Sequence, residues 1–167
     1  MNSPTLTWEA ICADPSLRDL PYKIETNRYN KIIMSPASSW HGNYEFEIGK
    51  LLDQHLPGGK VIQECPVQTS DGVRVADTTW MSRDRWLPHR RATKLPIAPE
   101  ICVEILSPSN SREEMLEKMR LYYEAGAREV WLCDDEGGIE FFTAASSPHP
   151  VANSEMCPGF PSKINTD

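Results

Sequence analysis

IAPEICVEILSPSNSREEMLEKMRLYYEAGAREVWLCD, residues 97–134, is the stretch from which the fold is read. Its first part, Ile97–Leu106, is a nearly continuous apolar run without alternation, as expected of a strand covered on both faces. Ser107-Pro108 stops that run. The segment from Ser111 to Gly126 then predicts a helix with both ends specified locally. Ser111 and Glu114 form an S-x-x-E capping box, acidic residues crowd the first turn, and Gly126 stands where a C-cap belongs. Glu129–Asp134 is a second buried strand. Strand, helix and strand make a βαβ unit, which is normally right-handed with parallel strands.

Working outward, Ile139–Thr143 follows Asp135-Glu136-Gly137-Gly138 as a hairpin partner. Upstream, Lys60–Gln68 and Val73–Trp80 read as strands, and residues 40–56 have helical period, ending before Pro57-Gly58-Gly59. Tyr22–Met34 alternates about a polar Glu25-Thr26-Asn27 centre, as a hairpin would, and residues 5–20 read as a short helix carrying Trp8, Ile11 and Leu17. The early hairpins make the sheet mixed. The expected class is α/β, a mixed β-sheet flanked by helices.

A chain of 167 residues is the size of one domain, taken as 1–167, and at about 150 residues roughly 70 % of the unfolded surface is buried without metal or disulfide staples. The balance of 40 % hydrophobic and 25 % charged residues is that of a globular protein. No stretch approaches the ~18 consecutive apolar residues of a membrane helix. The opening MNSPTLTWEA carries neither the basic residues nor the apolar centre of a signal peptide, so a cytoplasmic location with no membrane partner is expected. The five cysteines contain no C-x-x-C pair, and free thiols are expected.

The net charge of −7 argues against broad, non-specific nucleic-acid binding, which depends on neutralising phosphates. The exception is SRDRWLPHRRATK, residues 82–94, which gathers Arg83, Arg85, Arg90, Arg91 and Lys94 around Trp86. It reads either as a surface for a phosphate backbone or as a solvated connection balancing an acidic protein.

Several polar residues fall on faces that ought to be apolar. At about 100° per residue, Arg120, Glu113, Glu124, Glu117 and Glu114 share one side of the helix after Ser111, opposite Met115, Met119 and Tyr122. Lys118 lies among the latter, where an ammonium needs an anionic partner unless it snorkels to the edge. On the helix over 40–56, His41 and Glu45 join the stripe of Ile48, Leu52 and Leu56, although a first-turn Glu also suits the positive helix end. Glu104 interrupts an apolar strand at a cost of several kcal/mol unless paired or metal-bound. Asp77 follows Val73 and Val75 at even spacing, on the side expected to face the core. Two carboxylates on neighbouring strands with an inward lysine suit a hard cation such as Mg²⁺, which takes one or two carboxylates and completes its shell with water and phosphate.

The order Asp77, Glu104-Ile105-Leu106-Ser107-Pro108, Lys118, Tyr122, Gly126 and Glu129–Asp134 resembles the Uma restriction-endonuclease family, a branch of the PD-(D/E)XK nuclease superfamily. YKIETNRYNKIIMSP and PGFPSKI are weaker points of likeness, and the resemblance spans nearly the whole chain. It implies a restriction-endonuclease-like fold and a DNA endonuclease using Mg²⁺ or Mn²⁺. Asp77 and Glu104 would be metal-binding carboxylates, the Ile105 carbonyl a further ligand, and Glu45 the acidic residue many superfamily members place near the metal. The superfamily lysine, two residues after the glutamate, is here Leu106; Lys118 on the following helix matches its displaced position in the Uma branch. The residue before Asp77 is Ala76 rather than proline, and Thr78 replaces an aliphatic residue. No organic cofactor is implied. Because a duplex needs two cuts, a homodimer is expected. The rival readings are an inactive nuclease-fold module that binds nucleic acid or protein, and a metal-free hydrolase working through its carboxylate pair.

Overall fold

The computed structural model describes residues 6–167. Its elements in chain order are α1 (Trp8–Ala13), β1 (Tyr22–Thr26), β2 (Ile32–Pro36), α2 (Ser39–His55), β3 (Lys60–Thr69), β4 (Gly72–Met81), α3 (Arg83–His89), β5 (Ile101–Ile105), α4 (Arg112–Glu124), β6 (Glu129–Cys133) and β7 (Ile139–Thr143). Strands β3-β4-β5-β6-β7 form one sheet in sequence order, with β5 and β6 parallel and the other neighbours antiparallel. The parallel pair flanks α4, as the βαβ reading requires. Both halves of the Ser111–Glu114 capping box are formed.

Strand β5 lacks alternation because each face has its own helix. Cys102 packs in the core shared with Met115, Met119 and Tyr122 of α4. Ile101, Val103 and Ile105 pack in the core shared with Tyr44, Ile48 and Leu52 of α2 and with Phe160 and Ile164 near the C-terminus. All five residues of β5 are buried, Glu104 included.

The structure departs from the sequence reading at several places. The β1–β2 hairpin is a separate two-stranded sheet rather than part of the main one. Its side chains, not its backbone, hold it to β4: Thr26 Oγ1 accepts from the Val73 N–H at 2.9 Å and Glu25 Oε2 from the Val75 N–H at 2.7 Å. Residues 83–89, read from the sequence as part of a basic surface or a solvated connection, are a helix capped by Ser82. The strand read over Ile97–Leu106 shortens to Ile101–Ile105, because Pro99 cannot donate to a ladder. The helix read over 5–20 is α1 followed by a 3₁₀ turn at Pro15–Leu17, with Asp14 capping the turn; Thr5 lies outside the described residues.

Gly72 opens β4 at φ +82°, where a Cβ would collide with the Thr26 carbonyl oxygen and Asn27 of the first hairpin. Gly72→Ala therefore combines backbone strain with a clash, and a loss of about 2 kcal/mol is expected in a denaturant melt.

Candidate active site

The site begins where two strand pairs part. β4 is ten residues long but pairs with β5 only through Thr78, Thr79 and Trp80. Beyond Thr78 the strands diverge, and the Asp77 carboxylate fills the fork, its Oδ2 accepting from the Ile105 N–H at 2.7 Å. On the other side of β4, the ladder with β3 skips Glu64 and Asp77, and Glu64 adopts φ +50°. The sides of the strands exchange at this point. Cys65 and Ala76 pack in the α4 core, whereas Val61 and Trp80 pack against the α2 core. The irregularity brings Asp77 to the rim of a cavity of about 430 Å³, which Lys23, His41, Glu64, Arg74, Glu104 and Lys118 also line.

Within it, Asp77, Glu104, Ile105 and Lys118 come together from β4, β5 and α4. Glu104 Oε1 accepts from the Tyr122 hydroxyl at 2.7 Å and meets Lys118 Nζ at 3.0 Å. Lys118 also meets Glu25 Oε2 at 2.9 Å and donates to the Val75 carbonyl at 3.5 Å. Its ammonium is turned inward with anionic partners. The two remaining carboxylate oxygens, Asp77 Oδ1 and Glu104 Oε2, share Lys23 of β1, at 2.6 Å and 3.6 Å.

Glu45 joins the site through His41, one helical turn earlier. His41 Nδ1 lies 3.2 Å from Glu45 Oε1, and its Nε2 lies 3.4 Å from Asp77 Oδ2 and 3.2 Å from the Ile105 carbonyl oxygen. One ligand atom each of His41, Glu45 and Asp77 falls within a 4.8 Å span.

Charge compensation sets the protonation states. Burial opposes ionisation of Asp77, but Lys23 and His41 outweigh it and hold the carboxyl well below the usual range. Burial pushes Glu104 upward, against the pull of Lys118 and Lys23. Burial would also discharge Lys23, yet Glu104 and Asp77 keep its ammonium well above the ordinary lysine value. For His41 burial is again overcome, by hydrogen bonds to Asp77 and Glu45, and the ring is raised to about 10, an imidazolium at neutral pH. Burial and the adjacent Glu45 raise Glu64 to about 8.

The donor set suits a hard divalent cation: two carboxylates, a peptide carbonyl at Ile105 and a third acid at Glu45 are all oxygen ligands. One oxygen of each of Asp77 and Glu104 is pinned by the Ile105 N–H or the Tyr122 hydroxyl, leaving the other to face a cation.

The basic segment lies elsewhere: none of Arg83, Arg85, Arg90, Arg91 and Lys94 lines the cavity. Arg83, Arg90 and Arg91 are exposed. Arg85 is a structural tie, donating at 2.8 Å to the carbonyls of both Ala98 and Gly126 and meeting Glu100 at 3.3 Å. Sequence reasoning missed Lys23 and Glu25 as members of the site. Both sit in the hairpin whose alternation was loose, and no periodic stripe marked them as inward-facing. His41 was signalled by its place on the apolar stripe.

The model of a family described as "Putative restriction endonuclease", Uma2, matches residues 16–161. Among solved structures, a putative nuclease from Anabaena variabilis superposes with a TM-score of 0.61 at 21 % identity, covering 83 % of this chain and 79 % of that one. No curated protein matches the chain.

Proposed function

Because the chain belongs to the Uma2 family of putative restriction endonucleases, we propose that it is an endonuclease hydrolysing phosphodiester bonds in DNA with the help of Mg²⁺ or Mn²⁺. The observation that carries this reading is the convergence of one unpinned oxygen from each of Asp77 and Glu104 on a single cationic position. Asp77, Glu104 and the Ile105 carbonyl are the residues that would hold the ion, with Glu45 as a further acid beside them. A divalent ion so held activates water and stabilises charge on a phosphoryl oxygen.

The chain's own residues do the rest. Tyr122 and Lys118 fix Glu104 Oε1 so that Oε2 faces the cavity, and the Ile105 N–H does the same for Asp77. Lys118 lines the cavity, and its ammonium is the group assigned to orienting the attacking water. His41, as an imidazolium, holds Glu45 against the Asp77 end of the site. An inactive binding module would be favoured by a Lys118 turned to solvent, whereas its ammonium faces inward on Glu25 and Glu104. A metal-free carboxylate pair is poorly served by two lysines beside it, since each lysine favours the ionised form over the acid that a proton donor needs. A homodimer would supply the second cut of a duplex, and the exposed Arg83, Arg90 and Arg91, with the half-buried Lys94, are available to phosphates outside the cavity.

The test is incubation of plasmid with the protein under Mg²⁺, Mn²⁺ and EDTA. Nicking and linearisation are expected with either ion, and loss to background in EDTA. Cleavage that persists under chelation would remove the metal mechanism.

A further inference from the structure

The cationic position on which Asp77 and Glu104 converge has an occupant of its own. Lys23 reaches it from β1, outside the five-stranded sheet, and its ammonium takes Asp77 Oδ1 at 2.6 Å and Glu104 Oε2 at 3.6 Å. The other oxygen of each acid is committed to protein donors: Asp77 Oδ2 to the Ile105 N–H and His41, Glu104 Oε1 to Tyr122 and Lys118. Lys23 thus holds the only oxygens of the pair not already engaged by other groups of the described structure. Both remain within reach of the cavity, which Lys23 lines together with Ile33, Met34 and Ser35 of its own hairpin.

We propose that Lys23 is a tethered counter-cation occupying the seat of the divalent ion, so that metal entry requires withdrawal of this side chain toward the cavity. This rests on the reading of Asp77 and Glu104 as metal ligands and adds a regulatory element to it. An ammonium a few ångströms from a doubly charged ion in a site walled by the buried Asp77 and Glu104 is strongly repelled, so the two cannot share the position. What Lys23 gives is a neutralised acid pair in the metal-free protein, where two facing carboxylates would otherwise destabilise the fold. What it costs is metal affinity, because part of the binding free energy goes into displacing it. Lys118 does not play this part: it meets Glu104 at Oε1, not at the oxygen that Lys23 takes, and is also engaged by Glu25 and the Val75 carbonyl. No ladder joins the hairpin to β4: apart from Lys23 it is held there by the Glu25 and Thr26 side chains and by Ile24 and Ile32 packed against Val73 and Val75.

The experiment is Mn²⁺ binding, followed by titration calorimetry or the loss of the free-ion paramagnetic signal, for wild type, Lys23→Met and Lys23→Arg, without DNA. Lys23→Met is expected to bind Mn²⁺ about 10-fold or more tightly than wild type, and to melt at a lower temperature when metal-free, with the deficit closed by added Mn²⁺. Lys23→Arg keeps the charge and is expected to bind no more tightly than wild type. Equal or weaker binding by Lys23→Met, with circular dichroism showing it folded, overturns the proposal. A different result separates the underlying reading: if neither wild type nor Lys23→Met binds Mn²⁺, or if Asp77→Asn leaves binding unchanged, the acids are not metal ligands and both ideas fall.

Discussion

Asp77→Asn is expected to reduce metal-dependent plasmid cleavage by about 10³-fold or more, the equivalent of several kcal/mol of lost transition-state stabilisation. The substitution preserves shape and removes charge. Asp77 accepts from the Ile105 N–H through Oδ2 and presents Oδ1 to Lys23. An asparagine has a single acceptor oxygen, and the buried Ile105 N–H claims it, because an unsatisfied amide there costs about 1–3 kcal/mol. The amide NH₂ is then left pointing at the cationic position, where it is repelled by any cation. The fork between β4 and β5 therefore survives while the ligand is lost. Cleavage rates should be measured alongside a thermal melt, so that inactivity can be distinguished from unfolding. Activity within tenfold of wild type in a folded variant would show that Asp77 is not a ligand.

The second large effect lies outside the cavity. Glu129 is buried at 2 % exposure, and accepts from Trp131 Nε1 and Ser154 Oγ through one oxygen and from the Met156 N–H through the other, each at 2.7 Å. Ser154 Oγ in turn accepts from the Cys157 N–H at 2.8 Å. One carboxylate thereby fastens the C-terminal segment, with Cys157 and Phe160, over the α2 face of the sheet. Glu129→Ala strands three donors at once and loosens the packing of Phe160 on Trp131, whose rings lie 4.6 Å apart. A loss of about 3–5 kcal/mol is expected, which in a chain of this size lowers the melting temperature by roughly 10 °C. Glu129→Gln keeps one acceptor oxygen and should lose less. A melt of Glu129→Ala within about 2 °C of wild type would show the segment is held by apolar contacts alone.

The strands and long helices were legible because their signals are local: the capping box of α4, the glycine pair after α2 and the unbroken run at β5 each name their own element. The hairpin was legible as a hairpin but not as a separate sheet, because its attachment to β4 is made by Glu25 and Thr26 accepting backbone N–H groups 50 and 47 residues away. No periodicity encodes such a bond. In the site, Lys118 and Glu104 announced themselves by being charged where their neighbours are apolar. Lys23 did not, since alternation in a short, partly exposed strand leaves either face open to a lysine. Glu129 escaped notice for a related reason: at the head of a strand a carboxylate looks like a boundary residue, and its three donors come from side chains and backbone that only the fold assembles. Arg85 was read as part of a basic surface because sequence cannot tell a solvated guanidinium from one spent on carbonyl oxygens.

The outer strands of the five-stranded sheet bear on how two copies can meet. At the β7 border, Phe141 bridges to Val151, and next to it Gly138 bridges to Lys163, so the returning chain terminus covers that margin. At the opposite border, Leu95 lies against Val67, accepting from the Gln68 N–H and donating to the Pro66 carbonyl, while Pro66 has no N–H to offer and Glu64 kinks the strand. Both margins are obstructed in the ways that discourage an incoming strand. A pair of protomers cutting opposite strands of a duplex would therefore not grow a continuous ten-stranded sheet. Their contact would be made by helices, connecting segments or the β1–β2 hairpin, leaving each five-stranded sheet to fold as a unit complete in itself.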